Sequence, residues 1–329
     1  MTLENLLRIK SEGNQVLQNQ IGLQPQNTRI VGYNQEDWKT FIEQNDLDES
    51  YGLFNDLTNK AYVNTANQYS DITLFHEYHG HGTAHENFEK ANRSLPSLTD
   101  TTKIEGFATW IEAVVSNETN REHKFKQKMS EQPPFYHQVL GLFEQIQKDL
   151  TELGLLGSLG MPKKYDSEDV GELLERIKPD EEILLAMLYG SRKPLSDIDI
   201  FLVTDKQSMS VTNEWLDIYQ INKEKIEDKV RNLDISVTEP LFTGQRILGR
   251  ESYLQNLKDI ATNTEITQET IQYNKAEIKR FKDYIEKENA ERVQLHKSYI
   301  DSFQQNTELL KKGIRPLTRE NLQRYSSET

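Results

Sequence analysis

Apolar residues along this chain follow two different periods. Between residues 70 and 153 they return every three to four positions, which predicts helices over 72–92, 99–120 and 135–153. Ser70 and Asp71 stand before the first as N-cap residues, and Gly80 and Gly82 weaken its middle. The stretch "SLPSL" then breaks it. Past residue 154 the pattern changes. "GLLGSLGMPKKYDSED" (154–169), rich in glycine and carrying a proline, reads as a domain boundary. A short helix over 170–178 precedes the apolar run "EILLAMLYG", a buried strand, and "SDIDIFLVTD" and "NLDISVTEP" read as two further strands. From residue 250 onward the chain is helical and densely charged, as a coiled hairpin or as helices laid on the second domain. Residues 1–60 mix a short amphipathic start with turn-rich sequence, and "KAYVNTANQ" reads as a strand and a turn. The expected fold is α+β: a mainly helical domain over 1–153, an α/β domain over 154–250 and a helical extension over 251–329.

Composition narrows the chemistry. At 329 residues the chain is long enough for two domains with separate cores. It contains no cysteine, so a metal ion would have to be held by histidine and carboxylate. The net charge of -14 is shared along the chain, with 21 acids against 13 bases up to residue 150 and 32 against 26 after it. That balance argues against general affinity for duplex DNA or anionic membranes. No run approaches membrane-spanning length and the start lacks a signal-peptide pattern, so a soluble cytoplasmic protein is expected.

Four of the seven histidines crowd into "LFHEYHGHGTAHENF": His76, His79, His81 and His85. His81 and His85 are spaced i, i+4 on one helical face, but Gly82 follows His81 where a general-base glutamate would be needed. His76 is followed by Glu77, yet its partner His81 arrives at i+5, about 140° round a regular α-helix. Those two rings meet one ion only if the turn is widened, as in a π-bulge, which Gly80 and Gly82 would permit. A hydrolytic zinc site also needs a third ligand and an open position. Glu105 offers one on the next helix, with Glu112 two turns further and the small Ala108 between them.

His76-Glu77-Tyr78-His79-Gly80-His81 resembles the His-Glu-x-x-Gly-His signature of zinc peptidases of the dipeptidyl peptidase III type. Glu105-Gly106-Phe107-Ala108-Thr109-Trp110-Ile111-Glu112 is similar to the Glu-Gly-x-Ala-x-x-x-Glu element of related bacterial proteins. The resemblance spans residues 60–118. It implies that His76, His81 and Glu105 bind Zn²⁺, that Glu77 is the general base, and that Glu112 orients a ligand histidine. His79 and His85 would point away from the ion.

A second constellation lies in "LLAMLYGSRKPLSDIDIFLVTD". Asp197 and Asp199 alternate with isoleucines on a strand, so both carboxylates share one face. Two aligned oxygen ligands suit Mg²⁺ with a substrate phosphate, and a third carboxylate on a neighbouring strand would complete a two-metal site; Asp234 has that context. Gly-Ser, then Asp-x-Asp, then a later strand aspartate resembles the minimal nucleotidyltransferases of the DNA polymerase β superfamily over residues 165–250. The resemblance implies that Gly190 and Ser191 hold the triphosphate, with Arg192 at hand, and that Asp197, Asp199 and Asp234 hold the metals. In the C-terminal extension Phe281, Tyr284, Val293, Tyr299 and Phe303 are expected to pack on the domain or a partner helix.

The expected protein is therefore bifunctional, joining zinc-dependent hydrolysis of a peptide or protein to Mg²⁺-dependent transfer from a nucleoside triphosphate. Two alternatives stand beside it: a nucleotidyltransferase whose zinc is structural, and a non-catalytic nucleotide-binding regulator.

Overall fold

The computed structural model describes residues 1–47, 50–91, 100–161, 165–191, 196–206, 209–212, 215–286 and 290–327. The fold is α+β, in two compact units, Met1–Asp166 and Ser167–Thr329. No helix among the described residues is long and apolar enough to cross a membrane.

In the first unit α1 (Leu3–Gln20) starts on the Thr2 side chain, which caps Asn5 N–H, and buries Leu6, Ile9 and Leu17. Strand β1 (Arg29–Tyr33) leads into α2 (Gln35–Gln44), capped by Asn34. Strands β2 (Gly52–Asn55) and β3 (Lys60–Asn64) complete a sheet ordered β1-β3-β2, with β3 parallel to β1 and antiparallel to β2. A nearly unbroken helical segment follows: α3 (Ser70–Leu74), a π-helical stretch (Phe75–His81) and α4 (Gly82–Ala91). Then come α5 (Asp100–Glu118), α6 (Glu122–Glu131) and α7 (Pro134–Ser158). Ser70 lies inside α3, not at its cap; the N-cap position is Tyr69.

The expected boundary at residue 154 falls within α7. Thr151 breaks the regular turn at φ 62°, and the chain then buries Leu155, Leu156, Leu159 and Met161 in the first core. The glycines of "GLLGSLGM" read as a linker, whereas its leucines and methionine complete an apolar face.

One buried carboxylate ties this unit together. Glu86 on α4 accepts from the N–H groups of Gln26, Asn27 and Thr28 and from Thr28 Oγ1, at 2.7–2.8 Å. Burial opposes its charge, but these donors outweigh it and hold its pKa below the ordinary carboxyl range. The charged form is thus favoured in the folded state, so its stabilisation is present at neutral pH and is lost as pH falls through that depressed pKa. Glu86→Ala is expected to lower unfolding free energy of this unit by about 3 kcal/mol at pH 7. Urea unfolding followed by tryptophan fluorescence would show it, and the deficit should shrink in acid.

In the second unit α8 (Ser167–Ile177) precedes β4 (Ile183–Tyr189), β5 (Ile198–Thr204), β6 (Met209–Thr212) and β7 (Leu216–Asn222). Helices α9 (Lys223–Arg231) and α10 (Ile235–Thr243), strand β8 (Gln245–Gly249) and α11 (Glu251–Asn263) follow. The sheet is ordered β6-β7-β5-β4-β8. Among the described residues β5 and β7 are its one parallel pair, and Leu185, Met187, Phe201 and Val203 face a core shared with Ile226, Val237 and Leu257. "NLDISVTEP" is not a strand. Asp234 caps α10 by accepting from Ser236 N–H, and the chain from Ile235 is helical.

The extension forms α12 (Gln268–Ile285), α13 (Ala290–Lys311) and α14 (Arg319–Ser327). It is part of the second unit and packs on α10: Phe281, Tyr299 and Phe303 make one aromatic cluster beside Ile235. Buried Asn274 and Asn306 donate to the carbonyls of Asn232 and Leu233, clipping α12 and α13 to the turn between α9 and α10.

Candidate functional site

The widened turn that the histidine spacing demands is present. Gly82 N–H bonds back to Glu77 O, five residues earlier, within the π-helical stretch. The extra residue per turn brings His76 and His81 onto one side, with their Nε2 atoms 3.2 Å apart. Gly80 makes room for the partner helix. A Cβ there would lie 2.6 Å from Ala108 Cα, so α5 packs backbone to backbone against the π-helix. That contact carries Glu105 to the ring pair: its Oε2 is 3.4 Å from His76 Nε2 and its Oε1 is 3.6 Å from His81 Nε2.

With one oxygen taken from Glu105, the three donor atoms lie within 4.8 Å of one another, close enough to converge on one ion. A tetrahedral zinc with bonds of 2.0–2.1 Å sets its ligand atoms about 3.3 Å apart. Glu105 Oε2 is buried and makes no hydrogen bond of sound geometry, as a carboxylate oxygen reserved for a ligand would be. Among the described residues, His76, His81 and Glu105 are the group whose donor atoms converge in this way. Behind them His76 Nδ1–H donates to Glu112 Oε2 at 2.9 Å, so that Nε2, which faces His81, is the nitrogen left to ligate when the ring is neutral. The outer oxygen of Glu112 accepts from Lys128 Nζ at 2.6 Å.

The local field is negative. Burial opposes a charge on His76, but Glu105, Glu112 and Glu77 outweigh it and raise its pKa to about 9. Burial, with the charge of His76, pushes His81 the other way, down to about 3, leaving its lone pair available. Glu77, also buried, is raised to about 7 by desolvation and by Glu105 and Glu112, against the pull of His76 and Lys128. His76, Glu77, His81 and Glu105 line one cleft of about 700 Å³, with Phe54, His85, Ile104 and Tyr136 on its other walls.

Of the two remaining histidines, expected to point away, His79 does so and His85 stays on the wall of the same cleft. His79 is fully buried and its Nε2 meets Lys10 O at 3.1 Å on the opposite side. His85 lines the cleft against Phe54, outside the converging trio, so the i, i+4 pair is not the one assembled.

In the second unit Asp199 on β5 stands in register with Asp217 on the parallel neighbour β7. Paired strands lie about 4.8 Å apart, so the two carboxylates share one face. Burial, then Asp197 and Asp217, raise the Asp199 pKa to about 7, while Arg319 and the Ser191 N–H pull it down. Gly190 has φ +74°, and a Cβ on it would lie 1.9 Å from Asp199 Oδ2. The Gly190-Ser191 turn therefore seats the Asp199 carboxylate against bare backbone. Tyr299 and Arg319 of the extension border this acidic group. Arg192 lies outside the described residues.

Asp234 is elsewhere occupied. It is fully buried, paired with Lys229 at 2.7 Å, and accepts from Tyr273 OH at 2.8 Å and Ser236 Oγ at 2.6 Å. The third carboxylate of the acidic face is Asp217. It was open to reading: "WLDIYQIN" alternates as "SDIDIF" does, with Asp217 between buried Leu216 and Ile218. Lys128 carries a weaker signal, an apolar-face position beside Phe125 and Met129.

No family model and no curated protein matches the chain. Among solved structures it is similar to a nucleotidyltransferase-like protein from Exiguobacterium sibiricum 255-15, at 14% identity and a TM-score of 0.28. The match covers 46% of this chain and 59% of that one.

Proposed function

We propose that the first unit is a zinc-dependent hydrolase of peptide bonds, with His76, His81 and Glu105 as ligands and Glu77 as general base. The observation carrying this reading is the convergence of His76 Nε2 and His81 Nε2, 3.2 Å apart, with the Glu105 carboxylate, whose two oxygens lie 3.4 Å from the one and 3.6 Å from the other. Zinc bound there would act as a Lewis acid that makes water nucleophilic near neutral pH. Glu77 takes the proton from water as its oxygen adds to the peptide carbon, then returns a proton to the amine as the C–N bond breaks. Glu112 keeps His76 in the ligating tautomer throughout.

The acidic face of the second unit supports Mg²⁺-dependent nucleotidyl transfer through Asp197, Asp199 and Asp217, with Gly190 and Ser191 shaping the site. Mg²⁺ there would neutralise the phosphates of a nucleoside triphosphate during in-line displacement. The peptide substrate and the nucleotide acceptor are thus the two partners of the chain in this reading.

Metal content by mass spectrometry, on protein purified without an affinity-metal column, tests the first site. About one zinc per chain is expected in wild type and in His85→Ala, and much less in His76→Ala, His81→Ala and Glu105→Ala. Zinc absent from wild type, or retained by Glu105→Ala but lost from His85→Ala, would overturn the ligand set.

A further inference from the structure

Ligands and general base leave Lys128 unexplained. Its side chain is buried on α6, 6% exposed, where a lysine seldom sits unless paired. Phe125 and Met129 bury on the same side of that helix, so local packing calls for an apolar residue at this position. The ammonium instead reaches Glu112, itself 1% exposed, at 2.6 Å. A buried ion pair adds little net stability compared with well-packed apolar residues, because desolvating both ions costs about what their attraction returns. The pair has a neighbour that gives it a use. Glu112 holds one oxygen on Lys128 and the other on the Nδ1–H of His76, so three side chains from three elements form one line.

We propose, resting on the zinc reading above, that Lys128 is a positioning residue of the metal centre. It pins one oxygen of Glu112 so that the other stays aimed at His76, and its charge offsets a carboxylate that would otherwise stand uncompensated in the interior. With Glu112 fixed, His76 presents its bare Nε2 at the place where His81 and Glu105 converge. With Lys128 gone, Glu112 is free to rotate or to draw in another partner, and the orientation of the His76 ring is lost along with it. Lys128 hydrogen-bonds Glu112 and so orients the centre through it; its charge also reaches Glu77, His81 and Glu105, but removing a positive charge beside a bound cation would strengthen zinc binding, not weaken it.

Positioning through Glu112 makes a double-mutant cycle decisive. Zinc affinity is measured on the full chain by competition with a chromogenic chelator, for wild type, Lys128→Met, Lys128→Arg, Glu112→Gln and the double variant Glu112→Gln/Lys128→Met. Lys128→Met is expected to bind zinc 10- to 100-fold more weakly, the usual range for loss of an outer partner. Lys128→Arg should recover most of that loss, and the double variant should bind no more weakly than Glu112→Gln alone. With Co²⁺ in place of zinc, Lys128→Met should shift the visible absorption bands and Lys128→Arg should leave them near wild type. If Lys128→Met fails to fold, the double variant, which removes both charges, and Lys128→Arg still decide the matter. Wild-type affinity in Lys128→Met, or two losses that add in the double variant, would overturn the proposal while leaving the zinc site standing. Wild type that binds no zinc would overturn the zinc reading, and the proposal with it.

Discussion

Changing Glu77 to glutamine is expected to leave zinc at the His76, His81 and Glu105 centre and to cut peptide hydrolysis about 10³-fold. Glutamine keeps the shape of the side chain but cannot accept the proton of the attacking water. Glu77 is 8% exposed and lines the same cleft as the ligand trio, so no bulk solvent base stands ready to replace it. Its raised pKa, about 7, puts it in the range where a carboxylate both takes and returns a proton at neutral pH. The loss should fall on kcat with KM nearly unchanged, since the proton moves only in the transition state. The check is a peptide-library digest read by mass spectrometry, followed by kinetics on the best substrate with zinc content measured alongside. Full activity in Glu77→Gln would place the base elsewhere. A zinc-loaded wild type that cleaves no peptide would favour a structural ion.

This site was more legible than its fold. The distance from His76 to His81 is wrong for an α-helix, and the flanking glycines, with Glu77 next to His76, implied that the backbone would bend to fit. The bend is the π-helical stretch, and Gly80 against Ala108 shows why a residue with a Cβ would not serve there. The choice between His76 and His85 as partner of His81 was not legible from spacing. It turns on a single backbone bond, from Gly82 N–H to Glu77 O, and on where α5 delivers Glu105. Lys128 was hidden for a different reason. Its helix, "EHKFKQKMSE", carries three lysines, and its place on the face of Phe125 and Met129 marks it for burial but not for Glu112, a partner that only tertiary packing supplies.

In the second unit local pattern and tertiary outcome part company at Asp234. "NLDISV" has strand-forming residues and alternation, yet the aspartate is also a strong helix N-cap, and capping prevails once α9 turns back at Asn232. A residue read for chemistry proves to hold structure together. Asp217 is the reverse: "LDIYQIN" alternates as an ordinary strand does, and the parallel pairing of β7 with β5 sets its carboxylate beside Asp199.

That exchange of roles yields opposite expectations for two aspartates. Asp217→Asn should reduce Mg²⁺-dependent label transfer from an α-phosphate-labelled nucleoside triphosphate by about 10³-fold, equivalent to about 4 kcal/mol of transition-state stabilisation. It should not weaken the fold, because Asp199 lies under the repulsion of Asp197 and Asp217, and removing one charge relieves it. Asp234→Asn should do the converse. It strips the charge that pairs with Lys229 and receives Tyr273 and Ser236, at a cost of about 3 kcal/mol in stability. All four triphosphates would be offered with Mg²⁺, scoring label on the chain itself and on added protein or RNA, beside thermal unfolding of each variant. Label transfer that survives Asp217→Asn but disappears with Asp234→Asn at unchanged melting temperature would return the third ligand to Asp234. The expected outcome, activity lost without stability in one variant and stability lost in the other, follows from what surrounds each carboxylate: Asp217 stands beside the like charge of Asp199, Asp234 among donors in the core.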